Sequence, residues 1–209
     1  MKSLHLIVFV KKNENTLRLV DDFVGWLDSL SNYKILAKLV HYKEKIETRG
    51  SILKKTYYEA ETDFLGYIDL GMINKFEIIE QSLSLLQNNY DLVIGSRALA
   101  GSRGKRNLFR RMLSKYYNYF AIQLLNIKNC SDLQCHFKIF NRKRFIKIIP
   151  LVKNNHSFFD TELLFKSQKD NVRIKEIPIL FNQPAEKISC IAGYTMENFC
   201  NTLLLKLKK

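Results

Sequence analysis

Asp69 ends an apolar run, Phe64-Leu65-Gly66-Tyr67-Ile68, and Gly71 follows shortly after it. A carboxylate at the end of a buried strand can hold a divalent cation, because Mg²⁺ takes one or two carboxylates and fills its shell with substrate phosphates and water. Taken alone, an aspartate near a glycine is more often a turn residue. A second candidate is Gly95-Ser96-Arg97, which puts a guanidinium directly after the apolar stretch 91–95. There it can grip phosphate oxygens in bidentate fashion, as lysine cannot, although a solvated loop arginine is an equal reading of the tripeptide by itself. Arg103, Lys105, Arg106, Arg110 and Arg111 extend the charge, and Ser114 stands one turn after Arg110 on the same face of a predicted helix.

Other polar groups carry less. Asp160 and Glu162 could form an acid/base pair, but at a predicted helix start carboxylates satisfy free N–H groups, and capping is the favoured account for at least one of them. His5, His41, His136 and His156 lack metal-ligand spacing, and no Ser/His/Asp or Cys/His arrangement is discernible. Cys130, Cys135, Cys190 and Cys200 form no CxxC pair, which argues against zinc and disulfides and for reduced thiols.

Positioning such groups requires strands that end beside them. Residues 4–10 read as a first strand, and Asn13-Glu14-Asn15-Thr16 can cap a helix whose apolar face is Leu17, Val20, Val24, Leu27 and Leu30. Further strands are expected at 34–40, 64–68, 91–95, 137–140 and 173–181. Helices are expected at 51–60, 76–86, after Asn107, near Asp160 and at 194–207. This alternation implies an α/β domain with a mostly parallel central sheet and helices on both faces. Ligands of open α/β sheets bind beyond the carboxyl ends of strands, which directs attention to Asn13, Glu14, Asp69, Gly71, Ser96, Arg97 and Asp132.

At 209 residues, 46% of them hydrophobic, the chain fits one domain with a sizeable core. Lys and Arg outnumber Asp and Glu by 34 to 20, for a net charge of +14, and the pI is about 9.6. Anionic partners follow, and the charge is concentrated at 97–111 and 138–147. A nucleic-acid groove would more often interleave aromatics with the basic residues, whereas Tyr116, Tyr117, Tyr119 and Phe120 fall within the predicted helix. Residues 4–10 are too short to span a membrane and lack a cleavage site, and no other segment reaches spanning length, so the cytosol or a membrane face is expected.

Several blocks follow one another at characteristic distances: Tyr67-Ile68-Asp69-Leu70-Gly71, Lys75-Phe76, Asp91-Leu92-Val93-Ile94-Gly95-Ser96-Arg97, Asp132-Leu133-Gln134-Cys135-His136-Phe137-Lys138, Phe159-Asp160-Thr161-Glu162-Leu163-Leu164 and Glu176-Ile177-Pro178. In order and spacing they resemble family 2 glycosyltransferases of the polyprenyl-phosphate type, the dolichyl-phosphate mannosyl- and glucosyltransferases and their bacterial relatives. The first block stands where that family has D-x-D and the fourth resembles its D-x-Q-C-G-F-K. Asn13 and Glu14 match the end of its P-x-Y-N-E, and Arg49-Gly50 its glycine-bearing G-x-G-x-A. Three features depart: Gly71 replaces the second aspartate of D-x-D, Val40-His41-Tyr42-Lys43 replaces an acidic turn, and 183–189 lacks the closing R-x-x-G-x-S-K.

The resemblance implies a single GT-A-type, nucleotide-diphospho-sugar transferase domain over 1–190. It implies transfer of a hexose, with inversion, from a nucleotide sugar to a polyprenyl phosphate. Under it, Asp69 would hold Mg²⁺ or Mn²⁺ and the diphosphate, Arg97 and Asp132 would join it in the catalytic group, and Asn13, Glu14, Ser96, Arg97, Arg110, Ser114 and Gln134 would bind donor or acceptor phosphate. The segment 191–209, leucine-rich with Lys206, Lys208 and Lys209, is expected as an amphipathic helix on the cytoplasmic face of a membrane or against a partner, either a membrane protein or a second copy. Two alternatives stay open: a catalytically inactive relative acting as a binding or partner subunit, motivated by Gly71 and the missing acidic turn, and a nucleic-acid-binding module, motivated by charge alone and disfavoured.

Overall fold

In β1 (Lys2–Val10) every residue from Leu6 to Val10 is buried, as expected of a strand covered on both faces. The computed structural model describes residues 1–10, 14–41, 48–70, 75–182 and 187–208, with the side chains of 14–17 and of His41 outside that description. Asn13 and Gly71 therefore lie outside the described residues, and Glu14 is described only as the first residue of α1 (Glu14–Asp28).

β2 (Tyr33–His41) and β3 (Phe64–Asp69) flank β1 and run parallel to it. α2 (Arg49–Glu59) joins β2 to β3, and α3 (Glu77–Gln87) leads to β4 (Leu92–Ser96). After β5 (Arg103–Lys105) comes α4 (Leu108–Leu125), capped by the Asn107 side chain accepting from Phe109 N–H. Then follow β6 (Phe137–Asn141), α5 (Arg142–Ile148), a 3₁₀ turn (Ile149–Leu151), α6 (Phe159–Lys169), β7 (Ile174–Pro178), β8 (Leu180–Asn182) and α7 (Ile188–Leu207).

The six-stranded sheet has the order β2-β1-β3-β6-β4-β7. Alternate residues point to opposite faces: Ile7, Phe9, Leu65 and Tyr67 meet Leu53, Tyr57, Tyr117 and Leu163 on one side, while Leu6, Val8 and Val93 meet Phe23, Ile79 and Leu83 on the other. The expected α/β architecture with helices on both faces is thus present.

β6 is antiparallel to both neighbours, and this positions the site. Its first residue, Phe137, pairs with Ile68, so the loop before it arrives at the edge where β3 ends in Asp69 and β4 in Ser96. Its last residue, Asn141, pairs with Phe64 at the opposite edge, and there the basic run that continues into α5 emerges. The second charge concentration expected at 138–147 is therefore divided: its carboxyl-terminal part lies away from the site, and Lys138 is fully buried. The strand expected at 173–181 is two strands, because Pro178 has no N–H to extend the ladder and the chain leaves β7 to pair β8 with β5.

α7 starts at Ile188, before the expected boundary at 191, and lies against α4. Phe199 makes an edge contact with Tyr117 at 5.4 Å and a tilted one with Phe120 at 4.8 Å.

Candidate functional site

Arg97, directly after β4, donates from Nε to Asp132 Oδ2 at 2.6 Å and from Nη2 to Asp132 Oδ1 at 2.7 Å, and its backbone N–H adds a third bond at 3.0 Å. Both side chains are almost wholly buried. Burial alone would raise the Asp132 carboxyl, but Arg97 holds it well below the ordinary carboxylate range, and the pair is fully charged. The loop carrying Asp132 is held from beneath by Glu176 of β7, which accepts from Ser131 N–H, Ser131 Oγ and Asp132 N–H at 2.7–3.0 Å. The Glu-Ile-Pro block is thus a brace.

Below that loop lies a buried chain of charge. Lys138 Nζ donates to Asp160 Oδ1 at 2.5 Å and to the Cys135 carbonyl at 2.6 Å, and Tyr67 Oη donates to the same Asp160 oxygen. Burial would raise the Asp160 carboxyl, yet Lys138 and His136 hold it low. Neither α6 carboxylate caps its own helix: Asp160 is committed to Lys138, and Glu162 accepts from the Lys153 and Asn154 N–H groups of the preceding loop.

His136 bridges this chain to Asp69. Its Nε2 is 3.9 Å from Asp160 Oδ2 and its Nδ1 is 3.8 Å from Asp69 Oδ2, both beyond hydrogen-bond reach. Burial and the charge of Arg49 push the imidazole down to about 4, so it is neutral at neutral pH. Asp69 accepts Arg49 Nη2 at 3.5 Å, and its N–H donates to the His136 carbonyl at 3.0 Å. Arg49 in turn lies over the Phe9 ring at 4.7 Å.

Beside His136 opens a cavity of about 100 Å³, lined by Arg97, Arg106, Arg110, Ser114, Tyr117 and Gln134, and closed by α7 through Ile191, Tyr194, Thr195 and Asn198. That volume suits a phosphate-sized group better than a whole small-molecule ligand, whose sites run to about 300–1,000 Å³. Arg106 Nε is buried with no hydrogen-bond partner among the described residues. Burial, then the neighbouring charge of Arg97, lowers its guanidinium to about 9. A cation in this condition gains from any anion that enters. Tyr117 Oη and Gln134 Nε2 both meet Thr161 Oγ1, at 2.8 and 2.9 Å, and fasten α4, α6 and the Asp132 loop together.

Of the residues singled out from sequence, Arg97, Arg110, Ser114 and Gln134 share the cavity. Asp132 stands behind it, pairing Arg97, so the Nε and Nη2 edge of Arg97 is committed to the protein rather than offered to phosphate. Ser96 is fully buried, its hydroxyl facing Ser131 Oγ at 3.1 Å, and it does not line the cavity. Sequence reasoning gave no role in the site to Arg49, His136 or the first half of α7. Arg106 it saw only as part of a basic run.

The expected divalent cation fits the described residues poorly. An ion about 2.1 Å from Asp69 Oδ2 would share that oxygen with a guanidinium 3.5 Å away. The second position of the family motif holds Gly71, which has no donor side chain. Among the described residues no group of three or more His, Cys, Asp or Glu could hold a metal.

No protein-family model matches the chain. Glycosyltransferase AglD of Haloferax volcanii is 30% identical over 132 residues, 63% of this chain and 21% of that protein. The dolichyl-phosphate beta-glucosyltransferase of Dictyostelium discoideum is 29% identical over 83% of this chain and 53% of its own length. That of Saccharomyces cerevisiae is 32% identical over 65% and 44%. The chain thus spans between about a fifth and a half of these curated relatives. Among solved structures, glucosyl-3-phosphoglycerate synthase of Mycobacterium tuberculosis with Mn²⁺, UDP-glucose and phosphoglyceric acid superposes with a TM-score of 0.70 at 11% identity, over 98% of this chain and 79% of that one. The same enzyme with Mg²⁺ and UDP gives 0.69, at 11% identity over 98% and 79%. In sequence the chain is similar to AglD and the dolichyl-phosphate beta-glucosyltransferases, and its fold is that of the superposed nucleotide-sugar transferase, the GT-A type.

Proposed function

We propose that this chain moves a hexose from a nucleotide sugar to a polyprenyl phosphate at the cytoplasmic face of a membrane. The observation that carries the reading is the cavity in which Arg106, whose buried Nε has no hydrogen-bond partner among the described residues, stands among Arg97, Arg110 and Ser114. A phosphate monoester supplies the missing charge and acceptors at once, and Arg110 and Ser114 complete its cradle. Asp132 acts through Arg97, whose orientation it sets. Asn13 and Glu14 remain candidates on the donor side. UDP-glucose is the donor to try first, because glucosyl transfer is named in the relatives and UDP-glucose is bound by the superposed enzyme.

A phosphate monoester is already anionic near neutral pH, so its oxygen attacks the anomeric carbon without a dedicated base. The bond from that carbon to the diphosphate breaks as the new one forms, the configuration inverts, and the nucleoside diphosphate leaves carrying the electron pair. Positive charge at the leaving oxygens lowers the barrier.

Membrane contact is supported by exposed Leu108, Met112, Tyr116 and Tyr119 on one face of α4, and by Met196, Leu203, Leu204 and Leu207 on the adjoining α7. Lys206 and Lys208 stand beside the latter group, as suits anionic headgroups. No helix among the described residues is long and apolar enough to cross a membrane. The test is incubation of the chain with labelled UDP-glucose and a polyprenyl phosphate in detergent micelles. The expected result is a glucosyl lipid phosphate, and absence of product with every nucleotide sugar tried rules the reading out.

A further inference from the structure

Toward a diphosphate, a bound cation and a fixed guanidinium perform the same electrostatic work: each offsets charge on the phosphate oxygens as the sugar departs. The two differ in what the protein must provide. A cation needs carboxylates that are free to ligate it. A guanidinium needs one carboxylate to aim it and packing to keep it in place.

The surroundings of Asp69 meet the second requirement. Arg49 reaches Asp69 Oδ2 at 3.5 Å, and the Phe9 ring supports its guanidinium at 4.7 Å. The backbone beneath it is clamped, since Gly50 donates to the Asn155 carbonyl at 2.9 Å. A Cβ on Gly50 would stand 2.7 Å from Asn155 Cα, so only glycine permits this approach. Arg49 also opens α2, whose first turn carries no acidic residue, and the helix amino terminus adds potential of the same sign. His136, on the other side of Asp69, lines the phosphate cavity as well, so the two charged regions adjoin.

We propose that Arg49 supplies, as a fixed part of the chain, the positive charge that a bound divalent cation would bring to a nucleoside diphosphate, and that this site binds its donor without metal. The proposal rests on the nucleotide-sugar reading above. Asp69 then serves as the anchor of Arg49, a positioning residue rather than a metal ligand. The replacement of the second motif aspartate by Gly71 fits such a site, because a further carboxylate would oppose the diphosphate.

The two arrangements predict opposite signs for one substitution. If Asp69 holds a metal, Asp69→Asn abolishes nucleotide binding. If Asp69 only aims Arg49, the same change keeps an amide oxygen that accepts from the guanidinium, removes a negative charge beside the diphosphate, and so tightens binding. Calorimetric titration of the whole chain with UDP, in EDTA and then in Mg²⁺ or Mn²⁺, measures both. Expected are affinities that agree within about threefold between the two conditions, a tighter complex for Asp69→Asn in EDTA, and a loss of about tenfold or more for Arg49→Gln. Arg49→Lys, which keeps the charge, should recover part of that loss. UDP binding that requires the metal, or that disappears in Asp69→Asn, overturns the proposal while leaving the nucleotide-sugar reading intact. No binding of UDP, GDP or any other nucleoside diphosphate tried, under any condition, removes that reading and the proposal with it.

Discussion

Replacing Asp132 by asparagine keeps the shape of the side chain and removes its charge, leaving the Arg97 guanidinium buried without a counter-ion. The side chains of the pair are only 4% and 3% exposed, and the contact is bidentate at 2.6 and 2.7 Å. Breaking such a buried pair from one side costs about 3–5 kcal/mol. The upper part of that range is favoured here, because Asp132 also offsets the charge of Arg106. For a chain of 209 residues, this lowers the unfolding midpoint by roughly 6–20 °C. The sign of the pH dependence follows from the depressed Asp132 carboxyl. Its stabilisation is fully present above the unfolded value of about 3.9 and is lost as pH falls below it toward the folded value. The gap between wild type and Asp132→Asn should therefore be level at neutral pH and shrink below about pH 4. Urea unfolding followed by circular dichroism measures this, with Lys2→Met as the control. The Lys2–Asp63 pair has side chains 55% and 36% exposed, and losing such a surface pair costs no more than about 1 kcal/mol. A loss for Asp132→Asn no larger than that of the control would refute the reasoning.

Arg106→Leu should fold and gain roughly 1 kcal/mol in urea unfolding, because it removes a guanidinium whose buried Nε is unsatisfied among the described residues; a marked destabilisation would show that Arg106 has a structural partner. The His136 imidazole is held down to about 4 in the folded chain, against about 6.5 when unfolded, so stability should decline as pH falls from 6.5 to 4. In His136→Asn that decline should flatten, as unfolding at stepped pH values would reveal. Cys190 and Cys200 are exposed while Cys130 and Cys135 are buried, the Cys135 thiol being pushed up to about 12 by burial. A native thiol titration should accordingly count two fast-reacting groups, and four only after denaturation.

Much of the sheet was legible because β1, β3 and β4 are apolar runs ending at polar or glycine positions, the pattern a strand buried on both faces must have. The direction of β6 was not legible. Phe137 to Phe140 reads equally well either way, and only its pairing with β3 and β4 makes it antiparallel. Four of the candidates named from sequence, Arg97, Arg110, Ser114 and Gln134, line one cavity, and Asp69 stands beside His136, which lines it as well. What sequence could not give was how charges cancel. Arg97 and Asp132 each looked available for substrate, but the fold brings them together across 35 positions. Lys138 counts in sequence toward the basic concentration at 138–147, but Asp160 and the Cys135 carbonyl hold it in the core. Arg49 precedes Asp69 by 20 positions, and its glycine neighbour was the one local sign that its backbone sits close to another segment.

The central claim is that Arg106 belongs to a cradle for the acceptor phosphate, distinct from the donor end at Arg49 and Asp69. Steady-state kinetics of glucosyl transfer by wild type and Arg106→Leu, varying the polyprenyl phosphate and UDP-glucose in turn, tests it most directly. The account predicts that KM for the lipid phosphate rises by about tenfold or more, while KM for UDP-glucose stays within about threefold. An unchanged KM for the lipid phosphate, or a loss confined to UDP-glucose, would contradict it.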